Sequence, residues 1–463
     1  MALIRGGAVA VVAAVAVGAF IFMNGGKGGE TANTPVPTNI PVAAVATSTP
    51  QPGMSPAEIL SALSRMQNDA KEAIPQIRQI DAKSPLEADF KTRTELEGIT
   101  RSFFKREALR DQVFETEELY KALGMMAESE SLEEILVGIQ TQQVSALFDD
   151  AAGRFYVVND GTTVGPRDEL AIVAAYMSGM QQQNFNVAEI RRKAGEFSLD
   201  ELRAVDAMIK GDIAQVLDGY ISRNMTQAEI STLSAPLAEN KLLAAPKVVR
   251  AVNNFQSQEG ETFSYELFGE DGWNGVDRAY TRPPVSTEQV IHPAKYFVNE
   301  EVVHTIVPNI ANRMGGGWSQ VSGNAMGELL IRTYLLEFLG DQQAGDAAAG
   351  WGGDRYSLMV GPSGEKLLIA NIVWDTNLDA KEFYDAYAAF MSAKYAGQNI
   401  EINRTNTVSR WIVPNKEAIF LGKNAFATVL MIASNSKDDK ALLETAFQKL
   451  TEALQEQSPL VGR

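Results

Sequence analysis

The sequence predicts an α+β protein that is mainly helical and carries an antiparallel sheet near its C-terminus. Long stretches in the first two thirds place apolar residues three and four positions apart, as Leu170, Val173 and Met177 do, which is the spacing of one helix face. From Tyr356 to Ser434 the pattern changes to short apolar runs separated by turn residues, which is typical of strands. A chain of 463 residues with 45% hydrophobic residues has enough material for two or three folding units.

Composition excludes several classes of function. The formal net charge of −17 argues against nucleic-acid binding and against adhesion to anionic membrane surfaces, because both need concentrated positive charge. There is no cysteine, which excludes disulfides, thiolate metal ligands and a cysteine nucleophile. The chain has only two histidines, His292 and His304, so a histidine-based zinc site would need both.

The N-terminal region predicts a membrane anchor followed by a spacer. Gly6 to Met23 is an uncharged apolar stretch of 18 residues, close to the minimum for a transmembrane helix. We predict a retained signal anchor over residues 1–23, with a cleaved signal peptide as the alternative. Because Arg5 precedes the stretch, the N-terminus is expected in the cytoplasm and the rest of the chain outside the cytoplasmic membrane. Residues 24–55, rich in Gly, Pro and Thr, are predicted to be a linker.

Helices are predicted from Pro56 onward, with a second one opening at Ser84–Pro85. A β-hairpin is expected around the turn Asp149 to Arg154, and two long helices at Asp168–Val187 and Leu199–Ser222. A loop-rich region follows from Gly272, and Asn324–Leu339 returns to a helical pattern. The C-terminal module is predicted to have strands at 356–360, 367–373, 400–403, 408–413 and 426–433, with helices at 379–395 and 437–455.

Several segments, in the same order, resemble a family of bacterial membrane-anchored proteins related to gluzincin-type zinc metallopeptidases. The similarity runs from about Ala122 to Phe383, and its best-matched runs are Asp206–Asp212, Pro283–Tyr296 and Ala348–Tyr356. The resemblance implies a zincin-like scaffold over residues 56–355, followed by an α+β module over 356–463. In that family, zinc is held by an H-E-x-x-H helix and by a glutamate on a second helix.

The zinc-binding positions do not match the family. Aligned on the end of the first helix, Ala174 and Ser178 stand where the two histidines would be, and Ala175 stands where the general-base glutamate would be. Lys210 replaces the glutamate of the second helix. Methyl groups and a hydroxyl cannot replace two imidazoles and a base, and an ammonium repels a metal ion. We therefore predict neither a metal, nor a cofactor, nor a catalytic residue.

Aromatic residues, a histidine and two glycine runs are further candidates for function. Trp273, Tyr280, Tyr296 and Trp351 lie in the best-matched segments, and they are either core residues or anchors that line the former substrate cleft. His292 is predicted to be a hydrogen-bonded structural residue. The glycine runs 315–317 and 350–353 lack a phosphate-loop pattern and are predicted to be turns, with Asp354–Arg355 as a turn pin or internal salt bridge.

The predicted function is that of a pseudopeptidase, a non-catalytic extracytoplasmic subunit of a membrane protein complex, with the membrane and other subunits as its partners. Two alternatives stay open at this point. One is a hydrolase with a relocated, metal-independent active site that uses acidic residues of the former cleft. The other is a peptide-binding protein that kept the cleft.

Overall fold

The computed structural model describes residues 53–161, 163–233, 240–435 and 439–457. The predicted anchor Gly6–Met23 and the linker up to residue 52 lie outside these ranges. Within them, no helix is both long and apolar enough to cross a membrane.

Helices dominate the chain from Pro56 to Ala348. They are α1 (Pro56–Arg78), α2 (Arg93–Phe103), α3 (Glu107–Ala122), α4 (Leu132–Gln143), α5 (Pro166–Phe185), α6 (Val187–Phe197), α7 (Leu199–Asn224), α8 (Gln227–Leu233), α9 (Lys241–Ala244), α10 (Lys247–Asn254), a π-helical turn (Phe255–Glu259), α11 (Gly260–Thr281), α12 (Thr287–Ile291), α13 (Pro293–Phe297), α14 (Ala311–Met314), α15 (Gly327–Leu335) and α16 (Asp341–Ala348); α17 (Asn377–Lys394) and α18 (Asp439–Gln457) follow. The long predicted helices α5 and α7 are confirmed within two residues at each end.

Strands form two sheets. They are β1 (Ala88–Lys91), β2 (Ala146–Asp149), β3 (Arg154–Val158), β4 (Ser319–Ser322), β5 (Trp351–Val360), β6 (Lys366–Trp374), β7 (Glu401–Arg404), β8 (Val408–Val413), β9 (Glu417–Lys423) and β10 (Thr428–Asn435). The small sheet has the order β1-β3-β2, and it contains the predicted hairpin β2–β3. The large sheet has the order β4-β5-β6-β10-β9-β8-β7, and all its neighbours are antiparallel. The predicted α+β class with a C-terminal antiparallel sheet is therefore confirmed.

Two cores meet at the helical part of the molecule. One core joins α5 and α7 to α1, α11 and the hairpin, with the whole centre of α5 buried. The other joins α3, α4 and α15 to one face of the large sheet and to α17. Alternating residues of β5 and β6 face opposite sides, so that Leu368 points to α17 and Leu367 points to α18.

Three sequence predictions are corrected. The segment after Ser84–Pro85 does not open a helix, because Ala88–Lys91 pairs in parallel with β3 and the helix begins only at Arg93, after the N-cap Thr92. The predicted loop-rich region from Gly272 begins later than expected, because the residues from Trp273 to Thr281 form the second half of α11. α11 is in fact two helical segments, because Asp271 and Gly272 have non-helical backbone angles and the glycine adopts φ +58°.

The glycine run 350–353 was predicted to be a turn, but only its first residue has turn geometry. Gly350 has φ +75°, which is turn geometry, but Gly352 and Gly353 belong to β5. Gly353 lies directly against Val303, whose carbonyl oxygen would be 2.1 Å from any Cβ at this position. The proposed unit boundary between residues 355 and 356 falls inside β5, and the large sheet begins earlier in the chain, at Ser319.

Candidate functional site

The positions that the sequence comparison aligned with a zinc-binding helix lie on α5 and form part of the core. Ala174 and Ala175 have no exposed surface. Ser178, one turn further on, donates its hydroxyl proton to the carbonyl oxygen of Ala174 at 2.9 Å. This hydrogen bond satisfies the hydroxyl within its own helix, so none of the three side chains presents a metal ligand.

Lys210 lies at the centre of α7 and is 1% exposed. Its ammonium donates a hydrogen bond to Oε1 of Gln256 in the π-helical turn. Burial lowers the pKa of Lys210 to about 7; Asp206 opposes this shift, and Arg191 adds to it. The residue therefore contributes a buried amine next to other cations, where an active zinc site would need a carboxylate.

The polar residues that do meet between α5 and α7 form a network around Asp212. Its carboxylate accepts hydrogen bonds from Arg78 Nε at 2.6 Å, from Tyr280 O–H at 2.7 Å and from Gln181 Nε2 at 3.0 Å. Arg78 and Asp212 are completely buried, and Arg78 reaches Asp277 at 2.7 Å on its other side. Burial opposes the charge on Arg78, but Asp212, Tyr280 and Asp277 together outweigh burial and raise the pKa of the guanidinium. We call these residues (Arg78, Gln181, Asp212, Asp277 and Tyr280) the central network.

The four aromatic residues proposed as cleft anchors belong mainly to the core. Tyr280, Tyr296 and Trp351 are 6%, 4% and 1% exposed. The hydroxyl of Tyr296 donates to the carbonyl of Arg282, and Trp351 Nε1 donates to Asp354. Trp273 is half-buried beneath Arg78, whose guanidinium lies 4.5 Å from the ring centroid. The core interpretation of these residues therefore fits their burial better than the interpretation as exposed anchors.

A cleft of about 450 Å³ opens where the start of α7 faces the segment 299–305 and the start of β5. We call it the acidic cleft, because Asp200, Glu201, Glu300, Glu301 and Asp354 line it. Burial raises the pKa of Asp200 to about 7, and burial together with Asp200 raises the pKa of Glu201 to about 7. Raised carboxyl pKa values in a cleft are typical of functional sites, although they also occur in structural networks.

Two of the cleft carboxylates are engaged by structural hydrogen bonds. Asp354 accepts from the backbone N–H groups of Met326 and Gly327 at 2.8 and 2.9 Å, which fixes the start of α15. Asp200 accepts from the hydroxyl of Thr287 at 2.6 Å and from its backbone N–H at 3.0 Å. The prediction that Asp354 pins a turn agrees with this geometry.

The two histidines lie in different environments. His292 Nε2 is 3.0 Å from Glu328 Oε1, in agreement with the prediction of a hydrogen-bonded structural residue. His304 lines the acidic cleft, and its ring is 5.5 Å from that of Phe197. In the described ranges neither histidine belongs to a group of three residues close enough to share a metal ion.

In the described ranges, the one group of three residues whose carboxylate oxygens lie close enough together to share a metal ion is Glu288, Glu300 and Asp375. Its centre is taken by an ammonium, because Lys295 Nζ lies 2.7, 2.9 and 2.6 Å from the three carboxylates. Burial raises the pKa of Glu288 to about 8, with Lys295 opposing that shift. The lysine supplies the positive charge that a metal would bring, so the group is an ion-pair cluster and not a metal centre.

Comparison with known proteins adds one finding. The family described as a domain of unknown function (DUF8575) matches residues 313–456, which is less than half of the chain. The match covers the large sheet with α15, α16, α17 and most of α18. No curated protein and no solved structure matches the chain.

The sequence prediction did not identify the acidic cleft or the partners of Asp212. Asp212 stands in a segment used for the resemblance, but Arg78 is 134 residues away, and no local pattern connects the two. Asp200 and Glu201 follow the N-cap Ser198, where acidic residues are common for electrostatic reasons alone.

Proposed function

We propose that this chain is a non-catalytic, membrane-anchored extracytoplasmic protein, a pseudopeptidase that acts as an accessory subunit of a membrane protein complex. The proposal rests on which side chains occupy the four positions aligned with the zinc site. Ala174 and Ala175 are packed core, Ser178 bonds its own helix, and Lys210 is a buried amine bonded to Gln256. These side chains supply neither a metal ligand nor a general base.

Exposed apolar residues around the acidic cleft support a role in binding another polypeptide. Phe197, Val303, Ile306 and Val298 are 57%, 48%, 68% and 75% exposed, and we call them the apolar rim. Phe197 and Val303 line the cleft, and the other two flank its 299–305 segment in the chain. Ile306 also lines a neighbouring pocket, together with Ile369 and Phe420. Apolar side chains grouped around a concave site are typical of interaction surfaces.

A hydrolase with relocated chemistry receives less support from the same cleft. Of its carboxylates, Asp200 and Asp354 are already occupied by backbone and hydroxyl donors. A carboxylate held in this way is poorly placed to take a proton from a substrate or from water. Peptide binding without cleavage is compatible with the subunit role, because both use the cleft and its rim.

Purification of the full-length chain from its own cells in mild detergent tests the proposal. We expect stoichiometric partner proteins and no stoichiometric zinc, as measured by mass spectrometry of the proteins and of the metal. Tightly bound zinc at one ion per chain would contradict the proposal.

A pair of matched variants tests the apolar rim. V298K/I306K is expected to lose the partner, whereas L378K changes a slightly less exposed apolar side chain (60%) outside the rim and is expected to retain it. Equal partner recovery with both variants would exclude the rim as the contact surface.

A further inference from the structure

A second cavity, separate from the acidic cleft, lies among α3, α4, α7, α9, α10 and the π-helical turn. Its volume is about 150 Å³, and we call it the helical cavity. Most of its wall is aliphatic, with contributions from Val113, Leu136, Ile139, Leu202 and Val249. Leu136 and Leu202 are only half-buried, so a ligand can enter between α4 and α7.

One part of the wall is polar and contains two buried donors. Arg203 and Asn253 each are 7% exposed and line the cavity. Within the described part of the chain, Arg203 Nη1 and Asn253 Nδ2 are buried and have no hydrogen-bond partner. Both atoms are N–H donors, so each has a hydrogen bond to give to an acceptor that enters the cavity. A buried guanidinium nitrogen without an acceptor is unusual, because native proteins pair nearly all such groups.

The carboxylates near Arg203 already accept hydrogen bonds from other groups, so an anion can bind at Arg203. Asp206 also lines the cavity, but its carboxylate already accepts from Arg191 Nε at 2.7 Å. Asp200, one turn before Arg203 on α7, interacts with it electrostatically but takes its own hydrogen bonds from Thr287. Gln256, on the same wall, directs its Oε1 to Lys210. Of the described residues that line the cavity, Arg203 is the one cation and Asp206 is the one carboxylate, and Arg191 already neutralises that carboxylate.

We infer that the helical cavity binds a small carboxylic acid with an apolar body, its carboxylate held by Arg203 and Asn253 and its body held by the aliphatic wall. A carboxylate matches the planar fork of a guanidinium and also accepts from an amide. The volume limits the body to about the size of one benzene ring, since cavities of about 150 Å³ bind benzene. This site is independent of the proposed subunit role.

Titration followed by fluorine NMR tests the inference, with the full-length chain in a lipid nanodisc so that no free detergent competes. The probes are 4-fluorophenylacetate and the neutral 4-fluorophenylacetamide, in which an NH2 donor replaces one of the two carboxylate oxygens. We expect the acid to bind about ten-fold or more tightly than the amide, as a charged hydrogen bond predicts. Equal affinity for the two probes, or binding of neither, would overturn the inference.

Three variants separate this site from unspecific adsorption. R203M is expected to remove the preference for the acid. L136W is expected to block both probes by filling the cavity. R110M changes an exposed arginine of α3 and is expected to leave both affinities unchanged. Acid binding that R203M leaves intact would overturn the inference.

Thermal unfolding without probe provides a second readout. R203M is expected to unfold at the same temperature as the unmodified chain or higher, because it removes a buried charge without a full partner. A large drop in that temperature would mean that Arg203 is a structural residue.

Discussion

The central network makes Asp212 the residue whose loss should cost the most stability among the charged groups of the helical part. Its carboxylate joins α7 to α1 through Arg78, to α5 through Gln181 and to α11 through Tyr280. Asp212→Ala leaves a guanidinium with no exposed side-chain surface and only Asp277 as a charged partner. Unlike a surface ion pair, this one cannot be replaced by solvent.

The expected magnitude follows from burial. Removing one partner of a buried ion pair costs about 3–5 kcal/mol, because the remaining charge is uncompensated. The hydroxyl of Tyr280 also loses its acceptor, at a cost of about 1 kcal/mol that overlaps with the first figure. We expect the free energy of unfolding to fall by about 4 kcal/mol, measured from urea titrations. Tryptophan fluorescence is a suitable probe, because Trp273 stacks on Arg78 at 4.5 Å.

Two further variants show whether the cost arises from the buried charge. Asp277→Ala removes the other partner of Arg78, but this aspartate is 40% exposed, so a loss of about 1 kcal/mol or less is expected. The double variant Arg78→Met/Asp212→Leu removes both charges and should recover most of the stability lost in Asp212→Ala. If Asp212→Ala and Asp277→Ala had equal effects, the reasoning from burial would be refuted.

The remaining predictions concern three other sites. The pKa of Lys210 is about 7 in the folded protein and 10.5 for an ordinary lysine, so the unfolded state binds more protons in this interval and stability should increase as pH rises from 7 towards 10. Lys210→Met should lack this increase in urea titrations at several pH values, and a parallel pH dependence would contradict the assignment. Lys295→Ala should destabilise the fold and create a site for Ca²⁺ among the three carboxylates it leaves, so added Ca²⁺ should raise the unfolding temperature of the variant but not that of the unmodified chain. Gly211→Ala should cost about 3 kcal/mol or more, because its Cβ would lie 1.9 Å from the backbone oxygen of Gly260, whereas Gly138→Ala, with open space around it, should gain up to about 1 kcal/mol.

The sequence predicted the elements whose apolar pattern is long and regular. α5 and α7 were predicted because their large apolar residues recur at helical spacing, although burial in both helices extends to nearly all sides. The polar strand β4 was missed because its residues are Ser, Gln, Val and Ser, three of them partly or fully exposed, which leaves no apolar alternation to detect. β9 was missed because the continuous run Ala418 to Leu421 is buried on both faces, and such a run has no period of two.

The candidate sites were less predictable than the fold, because they depend on contacts between distant residues. The pair Arg78–Asp212 and the ion-pair cluster around Lys295 join side chains as far as 134 and 80 positions apart. The lack of metal ligands at Ala174, Ala175, Ser178 and Lys210 was evident from residue types alone. Which polar side chains meet between α5 and α7 was not evident, since that depends on how α1 and α11 pack.

The core that joins α3, α4 and α15 to the large sheet has a consequence for folding during synthesis. It joins residues of α3 and α4 to the large sheet, and Lys366 of β6 forms ion pairs with Glu118 and Glu128, the latter 238 positions earlier. At synthesis rates of about 5–20 residues per second, those helices wait about 12–48 s for the strands that cover them. During that interval their apolar faces are exposed to solvent or to chaperones. Efficient production of this protein should therefore depend more on holding the early helices apart than on the speed of helix formation.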